Sequence, residues 1–123
     1  MKIGVPSEIK AQESRVGLTP QSVKELVKNK HTVLIQKDAG IGAGFSNSDY
    51  ELSGAKIVNS AEDIFNDSEM IVKVKEPLMN EVSMIRENQI LFTYLHLSAA
   101  PELTKGLIAV SYKHLTLPTT LIV

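Results

Sequence analysis

Arg15, Lys73, Lys75 and His96 are the residues of this chain whose types and placement suit chemistry on a small anionic molecule. Lys73 and Lys75 close the stretch EMIVKVKEPL (69–78), in which Met70, Ile71, Val72 and Val74 make a short apolar run. A strand of that kind is covered, yet it ends in two lysines and is stopped by Pro77. Being two apart on a strand, the lysines are expected on one face. Either they carry their charge out of a covered sheet to water, or they hold an anion there. Lys75 is the preferred functional residue because it lies nearer the edge, with Lys73 left open beside it. Arg15 sits in the polar stretch SEIKAQESRVGL and offers a planar fork that matches a carboxylate through two bonds. The bland alternative is a solvated loop arginine. His96 lies in TYLHLSAAP between Leu95 and Leu97, as a satisfied core histidine or as a general acid/base. His31, in KNKHTV, fits a helix-to-strand turn, and His114 falls in a C-terminal stretch unlike the rest.

The elements that must position these residues alternate. KIGV (2–5) makes a strand ended by Pro6. Thr19-Pro20 then supplies an N-cap and a first-turn proline for a helix with Val23, Leu26 and Val27 on one face. TVLIQ (32–36) is a strand, KDAGIGAGFSNS a glycine-rich loop, and SDYELSG a short helix with Gly54 as its stop. KIV (56–58) is a strand, and Ser60 caps AEDIF with Asp63 near the capping-box position. EMIVKVK (69–75) is the fourth strand, MNEVSMIRE a helix facing inward through Val82 and Ile85, and QILFTYLH (89–96) the fifth strand. Pro101 opens a last helix, PELTKGL.

Strand and helix thus alternate five times, through connections too long for hairpins. That pattern predicts an α/β fold, a Rossmann-like or flavodoxin-like three-layer domain with a mostly parallel sheet, here expected to be incomplete. Ligands of such sheets bind beyond the carboxyl ends of the strands. Arg15 follows strand one, Lys73 and Lys75 end strand four, and His96 ends strand five, so all are expected at one sheet edge. The loop GIGAG (Gly40, Gly42, Gly44) is a weak dinucleotide signal. It follows the second strand, lacks the G-x-G-x-x-G spacing, and has Phe45 where a helix entry belongs. Its glycines are read as turn formers or points of close backbone approach.

Composition bounds the rest. The chain has 123 residues, 43% hydrophobic and 22% charged, with 13 basic against 14 acidic residues and a formal net charge of -1. That suits one domain with a modest core and argues against a nucleic-acid or anionic-membrane partner, which would require a basic excess. Cysteine is absent, so no disulfide framework or Cys-based zinc site is expected, and a reducing cytoplasm fits. MKIGVPSEIK is neither signal peptide nor membrane span. No metal cluster and no Ser-His-Asp pattern is visible.

Taken together, MKIGVPSEIK, ESRVGLTP, GAGFSNSDYELSGA, IVKVKEPL and ILFTYLHL resemble the N-terminal part of the alanine dehydrogenase family, in family order and over residues 1–108. Ser7 stands where that family suggests lysine. The resemblance implies reversible, NAD-dependent oxidative deamination of L-alanine to pyruvate and ammonia. It implies Arg15 and Lys75 as substrate-binding residues and His96 as the catalytic acid/base. It also implies a cytoplasmic homo-oligomer, a hexamer, for the full-length parent. The Rossmann domain that binds NAD is expected outside this chain, so no cofactor-binding residue is assigned here and the chain alone is expected to be inactive. One alternative is the N-terminal domain of the transhydrogenase α subunit, which binds NAD(H) without an amino-acid substrate. Its versions of these segments lack the second lysine before the proline and the histidine. Saccharopine dehydrogenase is more distant, and a non-catalytic binding fragment is a third reading. Residues 109–123 depart from the family pattern: SYKHLTLPTT reads as translated sequencing adapter, with AVSY as a sixth strand the alternative.

Overall fold

A computed structural model describes residues 1–9, 13–75 and 77–93, together with the backbone of 113–115. The strands are β1 (Lys2–Val5), β2 (Thr32–Gln36), β3 (Lys56–Val58), β4 (Met70–Val72), β5 (Ile90–Phe92) and β6 (Lys113–Leu115). The helices among the described residues are α1 (Pro20–Lys28), α2 (Asn47–Leu52), α3 (Ala61–Asp67) and α4 (Met79–Val82), with a 3-10 turn at Ile41–Ala43.

The strands form one sheet in the order β3-β2-β1-β4-β5-β6, and every neighbouring pair is parallel. This is the doubly wound order of dinucleotide-binding folds rather than the flavodoxin order. The chain adds strands outward from β1 on one side, then returns to add β4 on the other. The β1/β4 boundary is therefore the topological switch point, where a crevice opens beyond the strand ends.

Both faces of the sheet are covered, which is why its strands are apolar throughout. Ile3, Val5, Val33 and Ile35 pack with Val23 of α1 and Tyr50 of α2. Leu34, Ile71 and Leu91 pack on the opposite face with Ile64 and Phe65 of α3 and Val82 of α4. Strand alternation sends neighbouring residues of β2 to opposite cores. The helix starts follow their caps. Thr19 accepts from the Ser22 N–H (3.2 Å) with Pro20 in the first turn. Ser46 and Asp49 make a reciprocal capping box, and Ser60 accepts from the Asp63 N–H.

Two elements are shorter than their sequence suggests. β4 ends at Val72, not at Lys75, because the N–H groups of Val74 and Lys75 turn to a side-chain carboxylate instead of the sheet. The stretch expected as one helix over 79–87 closes after one turn at Val82. Ile85 is still buried beside Val82, so the inward face is kept while the helical hydrogen bonding is not. The expected fifth strand (89–96) forms over Ile90–Phe92, while its residues 94–96 and the helix from Pro101 lie outside the described residues. β6 lies past residue 108 and pairs with β5 through Ile90 opposite Lys113 and Phe92 opposite Leu115.

Candidate functional site at the switch point

Three segments meet beyond the carboxyl ends of β1 and β4. The first carries Glu8, three residues past β1. The second is the loop Glu13–Leu18, which carries Arg15. The third is Lys73–Lys75, past β4.

The Arg15 loop is held from several sides. The Tyr50 hydroxyl donates to the Leu18 carbonyl at 2.7 Å, tying the loop to α2, and the Tyr50 ring meets Phe45 edge-on at 6.2 Å. Gly17 lies against β4, where a Cβ would come within 2.5 Å of the Val72 carbonyl oxygen. On the other side, a Cβ on Gly42 would meet the Ser14 carbonyl oxygen at 3.0 Å. Two of the glycines that pattern the sequence therefore serve close backbone approach around Arg15, while Gly44 takes a left-handed turn at φ 92°. Tyr50 lies close to Gly40 and Ser14 to Gly42, where a side chain would have no room.

Arg15 is exposed, and its fork is engaged by Glu13. Nε donates to Oε2 at 2.9 Å, Nη2 donates to Oε1 at 3.0 Å, and the Arg15 N–H donates to Oε2 at 2.9 Å. These bonds lower the Glu13 carboxyl to about 2. The Arg15 side chain is the largest cause and its N–H the next, desolvation opposes them, and the Lys75 ammonium adds a smaller lowering. Arg15 is thus the group that bonds this carboxylate.

Lys73 and Lys75 part company. Lys73 is 4% exposed, its Nζ 3.1 Å from Glu8 Oε1 and 3.4 Å from Glu81 Oε2. Lys75 is half-buried. The two differ in burial where the strand stops at Val72 and residues 74–75 bend. Lys73 is a structural counter-ion sealed under the site, and Lys75 is the lysine left at its rim. Glu8 itself accepts from three donors: Lys73 Nζ, the Val74 N–H at 3.0 Å and the Lys75 N–H at 3.1 Å. Glu81 accepts the Leu78 N–H at 2.9 Å through its other oxygen. From the residue just past β5, the buried Thr93 hydroxyl is shared between the carbonyls of Lys75 (3.1 Å) and Val74 (3.3 Å). Sequence reasoning missed Glu8, Glu81 and Thr93. Only the strand order brings β1 beside β4 and β5 beside β4, so spacing along the chain carried no signal for them.

His96 lies outside the described residues, and of His114 only the backbone is described, in β6. His31 sits at the turn between α1 and β2, as its sequence context suggests. No group of three or more His, Cys, Asp or Glu residues suited to a metal occurs among the described residues, and none of their helices is long and apolar enough to cross a membrane.

Fold and site together define a doubly wound parallel α/β domain with Arg15 and Lys75 on neighbouring segments at its switch point. The family model for the alanine dehydrogenase/PNT N-terminal domain matches residues 4–119, and the chain belongs to that family. The alanine dehydrogenase of Halomonas elongata is 47% identical over 96% of this chain and 33% of its own length. A solved L-alanine dehydrogenase shares 52% identity and a TM-score of 0.91 over 97% of this chain and 34% of its own. A transhydrogenase from Sinorhizobium meliloti has the same fold, with a TM-score of 0.87 at 22% identity over 94% of this chain and 34% of its own. The chain spans about a third of the length of the curated relatives it matches.

Proposed function

We propose that this chain is the substrate-binding N-terminal third of an NAD-dependent L-alanine dehydrogenase, which interconverts L-alanine and water with pyruvate and ammonia while reducing NAD. The observation that carries the reading is that the loop bearing Arg15 and the segment bearing Lys75 are held together at the switch point, the first by Gly17 lying on the Val72 carbonyl and the second by Glu8. A substrate carboxylate exchanged for Glu13 would meet the planar fork of Arg15. The relatives called alanine dehydrogenase, at 47–52% identity, support this reading over the transhydrogenase, whose likeness at 22% speaks for the fold alone.

In this proposal Arg15 orients the carboxylate, and Lys75 binds beside it, toward the carbonyl oxygen of pyruvate. His96 moves the protons as water adds to the imine carbon and ammonia leaves. NAD supplies the redox chemistry and is held by a domain beyond this chain. L-alanine and pyruvate are the substrates, and the parent is a cytoplasmic homo-oligomer without nucleic-acid or membrane partners.

The experiment is steady-state kinetics on a full-length enzyme carrying this N-terminal sequence. His96→Ala is expected to lower kcat by roughly two to four orders of magnitude, the usual loss for an acid/base. Arg15→Lys keeps the charge and loses the fork, so it is expected mainly to raise KM for alanine and pyruvate. A wild-type kcat in His96→Ala at neutral pH would make the histidine structural.

A further inference from the structure

We infer that Glu8 is a positioning residue for Lys75: its buried carboxylate sets where the Lys75 ammonium stands at the switch point. The inference rests on the substrate-binding reading of Lys75.

The geometry is that of a clamp on one peptide unit after another. β4 stops at Val72, so the backbone of Val74 and Lys75 has left the sheet and its N–H groups need partners. Glu8 supplies both, Oε2 to Val74 and Oε1 to Lys75. From the opposite side, Thr93 donates to the Lys75 carbonyl. Lys75 is thus held through its N–H from the β1 side and its carbonyl from the β5 side, while its own ammonium remains available at the rim. A lysine has a long flexible stem, and fixing its backbone lowers the entropy lost when the ammonium meets an anion.

Burying a carboxylate for this purpose is costly unless its charge is met. The Glu8 side chain is 2% exposed, and Lys73, at 1%, meets it. This gives Lys73 its role. Among the buried groups, two carboxylates, Glu8 and Glu81, share one ammonium, and the remaining negative charge is spread over the N–H groups of Val74, Lys75 and Leu78. Within this cluster only Glu8 bonds the backbone of Val74 and Lys75, and that segment carries the functional lysine.

Glu81 makes the control available. It shares Lys73 with Glu8 and is equally buried, yet it bonds Leu78 and not Lys75. A merely structural loss should look the same from either glutamate, whereas a positioning loss should come from Glu8 alone. The test uses a full-length enzyme carrying this N-terminal sequence, with KM and kcat for pyruvate reduction measured in Glu8→Gln, Glu81→Gln, Lys75→Met and the Glu8→Gln/Lys75→Met pair. Glu8→Asp replaces Glu8→Gln should the amide variant fail to fold. The expected result is a KM for pyruvate raised roughly tenfold in the Glu8 variant, the size of one lost charge-assisted hydrogen bond. KM should stay near wild type in Glu81→Gln, and the Glu8 substitution should add nothing once Lys75 is Met. An unchanged KM in both Glu8 variants would overturn the inference, as would an equal rise in Glu81→Gln or a full additional rise in the Lys75→Met background. An unchanged KM in Lys75→Met itself would instead remove the substrate-binding reading, which separates the two failures.

Discussion

Glu13 and Arg15 are two residues apart and close a bidentate pair at the surface, so the carboxylate that occupies the fork is part of the same loop. Its titration is a direct probe of that fork. The Glu13 carboxyl is depressed from 4.5 to about 2, so the pair's contribution is fully present above about pH 4.5 and is lost as pH falls through about 2. Side-chain NMR of Glu13 should give a midpoint near 2. A midpoint near 4.5 at low salt would mean that the fork is not engaged. Tyr50 titrates with the opposite sign. Burial pushes its hydroxyl from 10.0 up to about 12, with the nearby Asp49 adding to the rise. An acid raised in the folded state contributes stability that is complete below pH 10 and lost as pH climbs to about 12. Tyrosinate absorbance should therefore show Tyr50 ionising late, together with loss of structure, and Tyr50→Phe should abolish that late step. Ionisation of Tyr50 near pH 10 in the folded chain would contradict the buried hydroxyl-to-Leu18 bond. At this scale the sequence was informative about type and uninformative about partnership. It marked Arg15 and Lys75 by their place near strand ends, but which of two lysines is sealed depends on Glu8 and Glu81, 65 and 8 positions from Lys73.

At the scale of elements, caps and periodicity were legible because they are local. Thr19-Pro20, the Ser46 capping box and Ser60 each start a helix where the sequence puts it. The ends of β4 and α4 were not legible. An apolar-charged alternation looks like a continuing strand, and only the arrival of the Glu8 carboxylate shows that Val74 and Lys75 bond elsewhere. Gly17 shows the same limit from the other side. In the sequence it is one glycine of a polar loop, whereas in the fold it lets the Arg15 loop lie on the Val72 carbonyl. Gly17→Ala should lower stability by about 1–3 kcal/mol, as for other forced overpacking. Because the obstacle is backbone, the loop rather than a side chain has to move, so in a full-length enzyme KM for pyruvate should rise as well. Denaturant unfolding and pyruvate kinetics of the same variant check both. An unperturbed Gly17→Ala would show that the loop does not need that approach.

For the whole molecule, five alternations of strand and helix were enough to foresee a parallel sheet covered on both faces. They could not give the strand order, because sequence order does not say on which side of β1 the fourth strand is added. That order creates the switch point and gathers Glu8, Arg15 and Lys75. The family match runs to residue 119, and β6 lies at 113–115, past the boundary at 108 that the motifs suggest; the nucleotide sequence through codon 109 decides the origin of that segment. The central claim, that this switch point receives the carboxylate of alanine and pyruvate, is tested most directly on a full-length enzyme carrying this N-terminal sequence. Alanine-dependent reduction of NAD should proceed in the wild type, and Lys75→Ala should lower kcat/KM for alanine by at least roughly tenfold, the loss expected for one charged contact to the substrate. Hydride exchange between NADH and an NADP analogue, with no alanine-dependent turnover and no effect of Lys75→Ala, would contradict the account and favour the transhydrogenase reading.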